Sequence, residues 1–129
     1  MKRVLFICIH NTGRSPMAEA LFRLSAPAGV EVHSAGIEPG EEVSRNAVAV
    51  MRELGCDLSG HRPKHISEFQ KHSFDFVAKM DVPDVSRSVS AKWIENWDVP
   101  DPAKGGLEEY RKARDMLAER VHRLLAIAK

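Results

Sequence analysis

Cys8 and Arg14 close the two ends of one short segment, Cys8-Ile9-His10-Asn11-Thr12-Gly13-Arg14-Ser15. A thiol and a guanidinium so spaced can act together on a tetrahedral oxyanion. The guanidinium fork grips two oxygens at once, and the sulfur, as thiolate, attacks the central atom. The spacing alone arises often by chance, and a lone cysteine closing an apolar strand is ordinarily a small buried residue. The flanking elements decide between the two readings.

Upstream, Val4-Leu5-Phe6-Ile7 is a short apolar, partly β-branched run that reads as a buried strand. Downstream, Ser15-Pro16 leads into Met17-Ala18-Glu19-Ala20-Leu21-Phe22. There a capping hydroxyl and a first-turn proline precede strong helix formers, so Ser15 is expected at the N-cap. The loop then ends at the positive end of a helix, whose N–H groups and partial charge favour an anion and a thiolate. Asn11 and Gly13 tolerate left-handed backbone and let the chain curl. Ile9, His10, Asn11, Thr12, Gly13, Arg14 and Ser15 are therefore expected to line the anion site, with Cys8 as its nucleophile.

Beyond Ala26-Pro27-Ala28-Gly29, Val30 to Ala35 alternates as a second strand. Glu42 to Leu54 places Val43, Ala47, Val50, Met51 and Leu54 on one helical face before a Gly55 stop. A polar connection, Cys56 to Lys64, precedes a short helix from Ile66 to about Lys71. Phe74 to Met80 reads as the third strand, Val82 to Ser90 as a short helix, and Lys92 to Trp97 as the fourth strand. Leu107 to Lys129 keeps helical spacing at Tyr110, Ala113, Leu117, Val121, Leu124, Leu125 and Ala128.

Strands alternating with helices predict an α/β fold of three layers. A central four-stranded parallel sheet is flanked by helices on both faces, with the phosphate loop after strand 1 and ligands beyond the carboxyl ends of the strands. Cys8, Asp81 and Asp101 all follow predicted strands and share that rim. Asp101, between Pro100 and Pro102, sits on stiff backbone and can be aimed; Asp98 competes with it for an acid's role. Asp81 reads as a strand-end turn residue.

The chain's 129 residues suit one domain, residues 1–129. Nineteen Lys and Arg against eighteen Asp and Glu leave a net charge of +1, with no overall field to recruit nucleic acid or an acidic membrane. Two distant cysteines and six scattered histidines show neither the common zinc spacings nor a disulfide framework. With no signal-peptide pattern and no apolar run of membrane-spanning length, a monomer in a reducing cytoplasm is expected.

Cys8 to Ala20 resembles the loop and helix of the low-molecular-weight protein tyrosine phosphatases, C-x-x-N-x-x-R-S-P-M-A-E-A. Phe74 to Val77 with Met80-Asp81 is similar to their third strand, and Val99-Pro100-Asp101-Pro102 to their acid loop. That fold is shared with the thioredoxin-coupled arsenate reductases. The resemblance implies that Cys8 attacks phosphorus to give a cysteinyl-phosphate. Asp101 protonates the leaving oxygen and then activates water, while Arg14 and loop N–H groups stabilise the charge with no metal or cofactor. It also implies that Ser15 donates to the Cys8 thiolate, that Asn11 braces the loop, and that Ser34 and His61 support it. The implied substrate is a phosphorylated protein or small aryl phosphate.

Four departures bear on specificity. Gly13 stands where the family usually has a second cysteine, His10 where glycine is usual, and Ala103-Lys104 where an aromatic pair often follows Asp-Pro. The stretch Ile37 to Glu41 contributes no aromatic wall. Asp-Pro-Ala is more typical of the arsenate reductases, so arsenate reduction by Cys8 with an external thiol such as glutathione is the alternative. Reduction needs further thiols, however, and Asp81 to Asn96 holds none; Cys56, the other cysteine, reads as structural. A third class is an inactive anion-binding module on the same fold.

Overall fold

The structure is a computed structural model and describes residues 1–128. Strand β1 (Arg3–Cys8) leads through the loop to helix α1 (Arg14–Ser25), then β2 (Glu31–Gly36) and helix α2 (Arg45–Arg52). A 3-10 turn (Ile66–Phe69) precedes β3 (Ser73–Phe74), β4 (Phe76–Lys79), β5 (Ser90–Ala91) and β6 (Ile94–Asn96), and helix α3 (Leu107–Ile127) follows. The main sheet has the order β2-β1-β4-β6 with every pairing parallel, the expected four-stranded α/β fold. Because β1 has β2 on one side and β4 on the other, the chain leaves Cys8 at the switch point where a crevice opens beyond the strand ends.

The period of two along β1 divides the core. Val4, Phe6 and Cys8 face α1, α2 and α3, while Leu5 and Ile7 face the 3-10 turn and the 82–89 segment. On the helical side Phe6 meets Phe22 and Trp97 at ring separations of 6.0 and 5.5 Å. The expected face of α3 is buried at Tyr110, Ala113, Leu117, Val121, Leu124 and Ala128. The predicted end of that helix, Lys129, lies outside the described residues.

Three local expectations change. Ser15 does not cap α1: the helix begins at Arg14 after Gly13, no side chain caps it, and the Ser15 hydroxyl turns into the loop. Val82 to Ser90 is not a helix despite buried Val82, Val85 and Val89. Pro83 lacks a donor, Asp84 takes the Ser86 N–H at 3.0 Å, and a single turn onto the Val85 carbonyl is all that forms. The third strand is split at Asp75, whose carboxylate accepts the N–H groups of Lys2 and Arg3 at 2.6 and 3.0 Å instead of letting the strand run on. Those bonds hold the Asp75 carboxyl down to about 2.

Helix α2 starts later than expected, at a Ser44 cap accepting from Ala47 N. Its last helical residue is Arg52, and the turn that follows closes at Gly55, the expected stop. Gly55, at φ +79°, donates to Arg52 and Cys56 to Met51, the paired bonds of a glycine-terminated helix end. Arg114 of α3 ties that end down by donating to the Val50 carbonyl at 3.0 Å and to Glu53 at 2.7 Å.

Gly36, opposite Cys8 in the β1–β2 register, shows how tightly the loop is seated. An added Cβ would stand 2.7 Å from Ile9 O and 2.9 Å from Asn11 N, both backbone atoms that cannot swing aside. Gly36→Ala is expected to cost about 2–3 kcal/mol, read by urea unfolding, and to distort the loop. An unchanged midpoint would contradict that packing.

Candidate active site

Five consecutive loop carbonyls are tied away from the loop's interior. Ile9 O accepts from Glu38 N at 2.8 Å, His10 O from Gly40 N at 3.0 Å, Thr12 O from Ser44 N at 2.9 Å and Gly13 O from Met17 N at 3.0 Å. Asn11 O takes the His61 ring at 3.1 Å. The amides of His10 to Gly13 donate to no backbone carbonyl among the described residues. With the carbonyls held back and Asn11 at φ +55°, the loop presents N–H groups to the space over Cys8, as an anion requires.

Asn11 is fully buried, and its amide uses its whole hydrogen-bonding capacity. Nδ2 donates to Ser15 Oγ at 2.8 Å and to Ser34 Oγ at 3.0 Å. Oδ1 accepts from Lys64 N at 3.1 Å and from His61 Nε2 at 3.2 Å. Because Ser15 Oγ accepts from Asn11, its own hydrogen is free for Cys8 Sγ, 2.9 Å away. Ser34 in turn donates to Glu19.

The His61 side chain, 8 % exposed, faces two acceptors through Nε2, so Nε2 carries hydrogen in either protonation state. Burial pushes its pKa down and the Lys64 charge adds to the shift, against the Asn11 contact that raises it.

Arg14 is buried. Its Nη1 donates to Asp81 at 2.6 Å and to Val99 O at 2.7 Å; its Nη2 faces Asp101 Oδ2 at 3.7 Å. Asp101 Oδ1 accepts from Ala103 N at 3.0 Å, which fixes the carboxylate's direction. Cys8, Ile9, His10, Thr12, Gly13 and Arg14 line a small cavity that Asp101, Ala103 and Tyr110 close from the other side. His10 is exposed at its edge, with Nδ1 donating to Glu38 O at 2.8 Å.

The structure brings the residues expected from the sequence together around the loop in two bonded sets: Asn11 with Ser15, Cys8, Ser34 and His61, and Arg14 with Asp101 facing it. Asp98 is exposed and does not line the cavity. The roles of three participants are not legible in the sequence, although Asp81 falls on the rim. Asp81 is not a bare turn residue but the partner of Arg14, held at φ +57°. Its position after the third strand was the available signal. Glu19 looked like an ordinary helix-face residue, and Tyr110 like a core position of α3. Among the described residues no group of three or more His, Cys, Asp or Glu side chains could hold a metal ion, and no helix is long and apolar enough to cross a membrane.

The family model described as low molecular weight phosphotyrosine protein phosphatase matches residues 3–129. The chain belongs to that family. Within this phosphatase family its relatives carry names of two kinds. A glutaredoxin arsenate reductase of Synechocystis sp. is 33% identical over 131 residues, covering 98% of each chain. A protein-arginine-phosphatase of Geobacillus stearothermophilus is 33% identical over 138 residues, covering 95% of this chain and 93% of that one. Among solved structures, an arsenate reductase in the phosphate binding state is 34% identical and superposes over the full length of both chains with a TM-score of 0.88. Membership therefore establishes an enzyme family and leaves two reactions to be weighed.

Unfolding takes up a proton at His61 near the ordinary value of 6.5, whereas the folded protein resists it until lower pH. Stability is therefore lost as the pH falls through that window. His61→Asn is expected to lower stability at neutral pH by about 1–3 kcal/mol and to flatten this part of the profile, measured by denaturant unfolding at a series of pH values. A slope as steep as that of the unsubstituted protein would contradict the assignment.

Proposed function

We propose that the protein hydrolyses phosphomonoesters through a cysteinyl-phosphate. The observation that carries this reading is the lack of a second thiol beside Cys8: the place after β4 holds Asp81, paired to Arg14 at 2.6 Å, and Cys56 is buried at the end of α2. Asp101, on the same small cavity as Cys8 and accepting from Ala103 N, is placed to protonate a leaving oxygen, which both ester cleavage and attack on arsenate require.

Cys8 thiolate attacks phosphorus, the bond to the leaving oxygen breaks, and the proton of Asp101 goes to that oxygen. Asp101, now a carboxylate, takes a proton from water as the water attacks phosphorus. The P–S bond breaks and inorganic phosphate leaves with Cys8 again a thiolate. Arg14 serves the equatorial oxygens with the face that Asp81 and Val99 O leave free, and loop N–H groups supply the remaining contacts. Asp81 acts as a positioning residue: a 2.6 Å ion pair holds the guanidinium before substrate arrives. Ser15 donates to the thiolate, while Asn11, Ser34 and His61 hold the loop's shape.

The relatives named arsenate reductase support a second reading, in which the Cys8 thiolate attacks arsenic and one arsenate oxygen leaves as water with a proton from Asp101. An external thiol then attacks the Cys8 sulfur, arsenite departs with the bonding electron pair, and a second external thiol resolves the mixed disulfide. The lack of an internal partner thiol for Cys8 favours the first reading. The place after β4 holds Asp81, already paired to Arg14, and Cys56 is buried at the end of α2, where desolvation pushes its thiol pKa up.

Purified protein given an aryl phosphate at mildly acidic pH is expected to release phosphate, and Cys8→Ser to release none. Release of no phosphate, with arsenate reduced in the presence of glutathione or glutaredoxin, would reverse the order of the readings. Arg14→Ala should lower turnover by roughly 10²–10³. Asp101→Asn should slow esters of poor leaving groups much more than those of good ones; equal slowing would exclude Asp101 as the acid.

A further inference from the structure

Tyr110 is the one aromatic side chain on the wall of the Cys8 cavity, and it comes from α3 rather than from the loop. Its amide bonds Gly106 O at 3.3 Å in the helix's first turn, and α1 packs against α3, so the ring is delivered beside the start of α1. The ring edge lies against Gly13: a Cβ built on that glycine would meet Tyr110 Cε1 at 3.6 Å, an ordinary contact distance.

The residue is 5 % exposed, yet no protein group among the described residues bonds its phenolic oxygen. The buried side-chain atoms lacking a partner are His33 Nε2 and His72 Nδ1. The Tyr110 oxygen is not one of them, so it keeps solvent contact, and Tyr110 lines the cavity over Cys8. A buried tyrosine ordinarily gives its hydroxyl a partner. Here no protein group among the described residues takes that role, and Tyr110 lines the cavity over the Cys8 loop.

We propose that Tyr110 is a further ligand of the bound oxyanion, its hydroxyl donating to an oxygen on the side of the cavity away from Ile9 and His10. Because the contact is to the anion itself, it rests on the proposed use of the loop and holds for phosphate and arsenate alike. Loop amides and Arg14 surround the anion from β1 and α1; Tyr110 adds a donor fixed to α3, the helix that follows the acid loop. Oxyanion affinity is thereby coupled to the seating of the Asp101 segment against α3.

The test uses inorganic phosphate as probe and needs no turnover. Iodoacetamide alkylation of Cys8, followed on the Cys8 peptide, is measured against phosphate concentration for the unsubstituted protein and for Tyr110→Phe. The phosphate concentration that halves alkylation is expected to rise about tenfold in Tyr110→Phe, the effect of one hydrogen bond to a charged group. The melting temperature and the alkylation rate without phosphate should stay unchanged. Equal protection in the two proteins would overturn the proposal, and so would a changed alkylation rate without phosphate, since the hydroxyl would then act on Cys8 and not on the anion. If phosphate protects the unsubstituted protein as expected but aryl phosphates are not hydrolysed, the proposed reaction fails while the Tyr110 contact stands. If phosphate gives Cys8 no protection at all, both fall.

Discussion

The side-chain amide of Asn11 is the interaction on which the rest of the site depends. It lies in the fully buried interior with two donors and two acceptor positions all engaged, linking the loop to α1, β2 and the 61–64 connection. A buried amide left with even one bond unmade costs more than the bond contributes when made, so the network is stable as a whole and poor in pieces. The left-handed backbone of Asn11 is held by the same contacts. From that one residue follow the left-handed turn of the loop and the direction of the Ser15 hydroxyl.

Arg14 poses the complementary problem of keeping a cation buried and still available. Nη1 is satisfied by Asp81 and Val99 O, while Nη2 faces the exposed Asp101 at 3.7 Å, too long for a tight bond. One edge of the guanidinium is anchored and the other is weakly committed. That pair is long and open to solvent on the Asp101 side, so this edge of the guanidinium is the one less committed to protein partners.

The loop and its flanking elements were legible because their signals are local. An apolar strand, a cysteine, left-handed-tolerant residues and a proline-started helix sit within one short stretch, and the parallel order follows from alternation of element types. What stayed hidden depends on tertiary partners. Ser15 reads as a cap, since a serine before a proline-started helix usually is one; only the nearness of Cys8 and Asn11 draws its hydroxyl elsewhere. Val82, Val85 and Val89 have helical spacing, yet the Asp84–Ser86 bond and Pro83 prevail over a pattern that burial alone created. Asp81 falls on the rim and Glu19 stands in the motif, yet the partners of both, like the place of Tyr110 at the cavity, exist only where β4, α1 and α3 meet.

The bonds that define the site are long in sequence. Asn11 reaches 23, 50 and 53 residues ahead to Ser34, His61 or Lys64, and Arg14 reaches 67 and 85 to Asp81 and Val99. Such contacts close large loops and come late in folding. A chain stalled with only β1 and α1 formed would carry the whole motif in its sequence and almost none of its chemistry. The surroundings of the Cys8 loop are thus supplied by segments as distant as Val99, and a change at that far position reaches the loop through the Arg14 side chain.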